Sequence, residues 1–180
     1  MAMSSWLSRI LNRFRRDERG TVIVEMSIVA PLMLILSAGV FEFGNLIHDK
    51  LLMEAGLSDG ARFAARCNSA LYTNAGLTID CADTATNIAV FGNPAGTGSP
   101  RLYLWQKSDV TISIADPATC RNTVDVNGNV MYLSTTSQVC IVTASGSYPY
   151  SVRDSIGLLS LLNISSITLG GSHQERLIRF

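Results

Sequence analysis

The sequence predicts an α+β fold in which one long N-terminal helix, transmembrane in its first half, packs its second half against a small antiparallel β-sheet. Three observations lead there. An almost unbroken apolar run fills residues 21–41. Helical periodicity continues beyond that run to about Cys67. From Leu102 onward the texture changes to short alternating runs separated by turn residues, as antiparallel strands require.

Residues 1–20 are a basic leader expected in the cytosol. They hold Arg9, Arg13, Arg15, Arg16 and Arg19 against Asp17 and Glu18, a net charge of +3 in a chain whose formal charge is zero. Positive flanks resist translocation, so this asymmetry orients the N-terminus inward. Trp6, Leu7, Ile10, Leu11 and Phe14 fall at helical spacing opposite the arginines. The leader therefore reads either as an amphipathic helix on anionic headgroups or as a disordered basic flank. The remainder of the chain is mildly acidic, which argues against nucleic acid as a partner.

Residues 21–41, TVIVEMSIVAPLMLILSAGVF, form the predicted transmembrane helix. Their 21 residues at a rise of ~1.5 Å span about 30 Å, a bilayer core. A cleaved secretory signal has a shorter apolar core and a small-x-small site, which Leu36-Ser37-Ala38 matches poorly, so the span is read as retained. Glu25 interrupts the run. A carboxylate at that depth costs a few kcal/mol and calls for a partner. Pro31 removes a backbone donor, which predicts a local kink or melt.

Residues 42–67 continue the helix. Phe43, Leu46, Met53, Leu57, Ala61 and Ala64 share a sector of roughly 80° at 100° per residue, with Lys50 as the charged intruder. Gly56 and Gly60 have the small-xxx-small spacing that permits close helix approach, although simple tolerance is the favoured reading.

Residues 68–180 make the exported domain. No regular element is assigned before the loop Gly92–Pro100. Strand-like runs follow at Leu102–Trp105, Val110–Ala115 and Thr123–Val126, with Asn127-Gly128 turning the chain into a hairpin. Gln138–Ser145 alternates strongly and reads as a central strand. Arg153–Leu162 reads as a short amphipathic helix, and the segment from Ile167 as an edge strand. Cys67, Cys81, Cys120 and Cys140 all follow the span, and an even number there suggests two disulfides rather than four buried thiols. Proximity favours Cys67–Cys81 and Cys120–Cys140. Their spacing lacks zinc character, and no cofactor is expected. The aromatic residues Tyr103, Trp105, Tyr132, Tyr148 and Tyr150 read as core in preference to a binding surface.

Catalysis finds little support. Neither His48 nor His173 has a nucleophile-elbow or metal spacing beside it, and Gly92–Pro100 lacks the Lys-Ser/Thr of a phosphate loop. The informative constellation is Arg19-Gly20, four residues, then Glu25 and an apolar helix. Glycine lets a peptidase approach the backbone closely at the cytosolic face. Cutting between Gly20 and Thr21 would free an amine that Glu25 of a neighbouring subunit could pair with.

The stretch from Arg15 to Arg66 resembles the TadE-like family, minor pilins (pseudopilins) of tight-adherence, type IVc pili. The resemblance rests on Gly20, Val24-Glu25, Ala30-Pro31, Glu42-Phe43-Gly44 and Asp59-Gly60-Ala61-Arg62-Phe63-Ala64-Ala65, with Gln174-Glu175-Arg176 near the end. Met26 stands where family members usually carry an aromatic residue. The resemblance implies an inner-membrane subunit with a periplasmic or extracellular domain. Its implied partners are a prepilin peptidase, membrane lipid, other pilins and the pilus assembly platform. Two alternatives stand beside it: an uncleaved single-span protein whose exported domain binds or scaffolds, and a pseudopilin of a general secretion machine.

Overall fold

The computed structural model describes residues 19–114, 119–131, 137–151, 159 and 166–178. The basic leader, Tyr132 and, apart from Leu159, the predicted Arg153–Leu162 helix lie outside them. Helix α1, Arg19–Arg66, runs 48 residues, including Pro31, and is about 72 Å long. No melt occurs at Pro31: one ladder bond, to the Ser27 carbonyl, is lost while the turns on either side persist. Two shorter helices follow, α2 (Ser69–Asn74) and α3 (Cys81–Phe91).

Strands β1 (Val110–Ser113), β4 (Ile141–Ser151) and β5 (Ser166–Arg176) form an antiparallel sheet in the order β1-β4-β5. The short strands β2 (Arg121–Asn122) and β3 (Gln138–Val139) pair separately. In this register Val142, Ala144, Gly146, Tyr148 and Tyr150 of β4 stand beside Glu175, His173, Gly171, Leu169 and Ile167 of β5. That face packs on α1, where Leu57 reaches Gly146 and Met53 reaches Gly171. The opposite face is polar, with Thr143, Ser145 and Ser147 beside Gln174, Ser172 and Gly170. The sheet is thus one-sided, as period-2 alternation requires.

The core forms where α1 meets both the sheet and α3. Met53, Leu57, Ala61 and Ala64 are fully buried, as the sector predicted, while Leu46 is partly buried. Phe43 departs from the pattern: it is 66% exposed, because the sheet's inner face ends at Tyr150, level with Glu42 on another side of the helix. Gly56 and Gly60 are not merely tolerated. A Cβ at Gly56 would lie 2.5 Å from the Ala89 carbonyl oxygen, and one at Gly60 would lie 2.9 Å from that of Ala85. The two glycines let α3 cross α1 at backbone contact.

Helix α3 went unassigned in the sequence although its stop signals are conventional. Asp80 caps it, accepting from the amides of Ala82 and Asp83 at 3.0 Å each, and Gly92 ends it at φ 74°. Its buried side chains, Ala85, Thr86, Asn87, Ala89 and Val90, are mostly small, so no bulky apolar stripe announces it.

Two strand expectations are corrected. Leu102–Trp105 is a turn: Leu102 and Trp105 are buried while Tyr103 and Leu104 are exposed, and Leu104 sits at φ 64°. The Trp105 amide donates to the Leu102 carbonyl at 3.1 Å, closing the turn. Thr123–Val126 contributes only an isolated bridge, Val124 to Val130, around a turn in which Asp125 accepts from Asn127 and Asn129. Cys67 is bonded to Cys81 and Cys120 to Cys140, so no described cysteine is a free thiol.

Candidate functional site: the exposed apolar helix and its junction with the sheet

The first half of α1 has no protein around it. Its most apolar window reaches a mean hydropathy of 2.1, and none of that window is buried. Val22, Ile23, Val24, Met26, Ile28, Val29, Leu32 and Leu34 are all exposed. One apolar helix of this length is enough to cross a membrane. Its serine hydroxyls are served within the helix, since Ser27 and Ser37 donate to the carbonyls of Val24 (2.7 Å) and Met33 (2.8 Å).

The sequence-predicted processing residues lie on this segment. Gly20 is exposed, and a Cβ there would meet nothing within 4 Å, so the backbone is open to approach. Thr21 and Glu25 are four residues, about one turn, apart on one helix. The Glu25 side chain is exposed within the apolar run. Such a carboxylate is suited to receive a cation from another molecule.

Beyond residue 41 a ladder of polar contacts ties α1 to the sheet. The Tyr150 hydroxyl donates to Glu42 Oε1 at 3.2 Å. Burial, followed by the negative charge of Glu42, pushes the Tyr150 hydroxyl up to about 12. Lys50 bridges Glu54 at 3.0 Å and also donates to the Gly170 carbonyl. Further along, Arg62 pairs with Glu175 at 3.5 Å, and Arg101 reaches from the loop after α3 to Asp59 at 2.7 Å. Hydrogen bonding from His173, ahead of that from Arg62, lowers the Glu175 carboxyl below its ordinary range.

His173 also stands near Ser58, but the geometry is not that of a catalytic relay. The same nitrogen, Nε2, lies 3.4 Å from Ser58 Oγ and 3.3 Å from Glu175 Oε1. A serine-activating histidine needs its two partners on different ring nitrogens. His48 lines a groove with Asn45, Asp49 and Leu52 of α1 and the loop 99–106. No cluster of potential metal ligands occurs among the described residues. Of the predicted aromatics, Trp105, Tyr148 and Tyr150 are core, and Trp105 Nε1 donates to the Ser147 carbonyl at 3.1 Å. Tyr103 is exposed.

Residues 20–62 match the TadE-like protein family model. The match begins at Gly20 and ends within the packed half of α1, so the TadE-like segment is the apolar helix together with its junction to the sheet domain. TadE-like proteins are associated with Tad pili, a membrane or cell-surface setting with pilin partners, and the family is not one of enzymes. No curated protein and no solved structure matches the chain.

Proposed function

We propose that this chain is a minor pilin of a Tad-type pilus. The first half of α1 holds it in the inner membrane, the leader stays in the cytosol and residues 68–180 are exported. A prepilin peptidase cuts between Gly20 and Thr21, and the subunit then takes part in pilus assembly or initiation. The observation that carries this reading is the coincidence of the family match with a helix that is bare at one end and packed at the other. The bare apolar half needs lipid before assembly and neighbouring helices afterwards. Exposed Phe43, Ile47 and Leu51 prolong that bare surface past residue 41, where a neighbour's helix can cover it.

Glu25 supplies register in this scheme. Buried among helices its charge would be costly unless paired, and the new amine of Thr21 on an adjacent subunit is the matching cation. The sheet domain is too large for a shaft packed from helices alone, which favours a minor or initiating position. Mass spectrometry of the membrane-extracted chain tests processing: an N-terminus at Thr21 is expected, and an intact Met1 leader would favour the uncleaved scaffold instead. Glu25→Ala should leave insertion intact and reduce filament number; normal filaments with alanine would remove the carboxylate's role.

A further inference from the structure

We infer that this chain associates head to tail with a second copy of itself, the β5 edge of one sheet pairing in parallel with the β1 edge of the next. That both copies stand the same way up rests on the single-span reading of α1. Among the described strands the sheet has two edges, β1 and β5. Residues of an antiparallel ladder alternate between bonding the neighbour and turning away from it. The Leu177 amide donates to the Cys140 carbonyl, one step beyond the pair Arg176–Ile141, so odd residues of β5 bond β4 and even ones face outward. Parts of that outward edge are occupied: Lys50 donates to the Gly170 carbonyl, and the Ile178 amide to that of Ala65. Between them the backbone groups of Ser172 and Gln174 have no partner among the described residues. An open edge of this kind is a template for another strand.

Two β5 edges meeting antiparallel would turn one α1 upside down, which a shared bilayer forbids. β1 has no such conflict, since it and β5 are both antiparallel to β4 and run the same way. Thr111, Ser145 and Ser172 stand in one row across the sheet. A second copy at the same height therefore brings its Thr111 opposite Ser172. The parallel ladder runs from the Ser172 amide to the Val110 carbonyl, from the Ile112 amide to the Ser172 carbonyl, and from the Gln174 amide to the Ile112 carbonyl. Those groups are turned the right way: Ser145 faces away from β5 and bonds Thr111, so Val110 and Ile112 face outward from β4. The Val110 amide, which this ladder leaves out, is satisfied by the Lys107 carbonyl.

The helix layer beneath matches in the same sense. With Met53 at the centre of the buried sector and roughly 100° per residue, Lys50, Ile47, Ser58 and Leu51 fall to one side, and Asp49, Gly56, Asn45 and Leu52 to the other. Lys50 and Ser58 reach β5, so exposed Ile47 and Leu51 lie along its open flank. Gly56 meets α3, while Asn45, Asp49 and Leu52 line a groove with the loop 99–106. Exposed Tyr103 and Leu104 of that loop thus lie on the opposite flank, level with Ile47 and Leu51. Setting β1 of the second copy beside β5 carries its Tyr103 and Leu104 to Ile47 and Leu51. One placement pairs the open backbone and covers both apolar patches, leaving Phe43 and the span below it to a neighbour's helix. The two flanks are different surfaces, so the contact is heterologous and repeats as a ring or a helical row.

Disulfide trapping of the full-length protein tests this. Full-length chains with Thr111→Cys or Ser172→Cys, carrying tags of different size, are expressed singly and together in a bacterium without pilus genes. Both positions are exposed on the polar outer face, and adjacent strands hold such residues about 5 Å apart, within disulfide reach. Membranes are oxidised and resolved without reductant. The expected result is a dimer bearing both tags from the co-expressed chains, and monomer from either chain alone. Absence of the mixed dimer, in membranes that keep the chain through an alkaline carbonate wash, refutes the contact and leaves the span standing. Self-dimers of Ser172→Cys at the yield of the mixed pair also overturn it, since the edges would then meet in another order. Release of the chain by carbonate would sink the span reading and the parallel placement with it.

Discussion

Adding one methyl group at Gly56 strikes the closest approach between α1 and α3. An ideal Cβ there lies 2.5 Å from the Ala89 carbonyl oxygen and 3.2 Å from Trp105 Cζ3. The first neighbour is backbone and cannot swing aside, so the helices must part or α3 must slide. Overpacking of this kind costs about 1–3 kcal/mol. Alanine's helix propensity returns about 1 kcal/mol over glycine. Gly44→Ala isolates that second effect, because a Cβ at Gly44 meets nothing within 4 Å. Gly56→Ala should therefore melt below Gly44→Ala by the packing penalty alone, about 1–3 kcal/mol. For a chain of this size each kcal/mol shifts Tm by about 2–4 °C. Thermal unfolding in one detergent, followed by the near-ultraviolet dichroism of buried Trp105, reads the difference. If Gly56→Ala melts at or above Gly44→Ala, the two helices do not touch at backbone distance and the account of Gly56 is wrong.

Tyr150 makes stability fall at alkaline pH. Its hydroxyl is pushed up to about 12 in the folded protein, against an ordinary value of about 10 when unfolded. The folded state holds the proton more tightly, so the contribution is intact below pH 10 or so and is lost as pH rises toward 12. Tyr150→Phe should flatten that alkaline limb of a Tm–pH curve, and an unchanged limb would refute the assignment. The bond between Cys67 and Cys81, 14 residues apart, ties the end of α1 to the start of α3. Opening it with the double substitution Cys67→Ser, Cys81→Ser should cost about 3 kcal/mol, visible as a lower urea midpoint. A midpoint equal to that of the parent would mean that packing at Gly56 and Gly60 suffices to hold α3.

Much of the architecture was legible before any coordinates. The apolar run with Glu25, the buried sector of α1, the central strand around Val142 and Ala144, and the terminal edge strand all repeat with a period that a single segment carries. Helix α3 was not legible, because Ala85 and Ala89 are small and their burial has meaning only against Gly56 and Gly60. The Leu102–Trp105 turn was misread for a related reason. Four large residues in a row look extended until the fold sends the outer two inward and the middle two outward.

What the sequence determined by itself was the membrane-length helix, its charge asymmetry and the placement of a glycine and a carboxylate near its start. These depend on local composition and on the fixed rise of a helix. What only the tertiary structure decided was which small residues are contacts and which large ones are left bare. Gly56 meets Ala89, 33 positions along the chain, and a fit between backbones so far apart is set by how the layers stack, not by the chemistry of either segment alone.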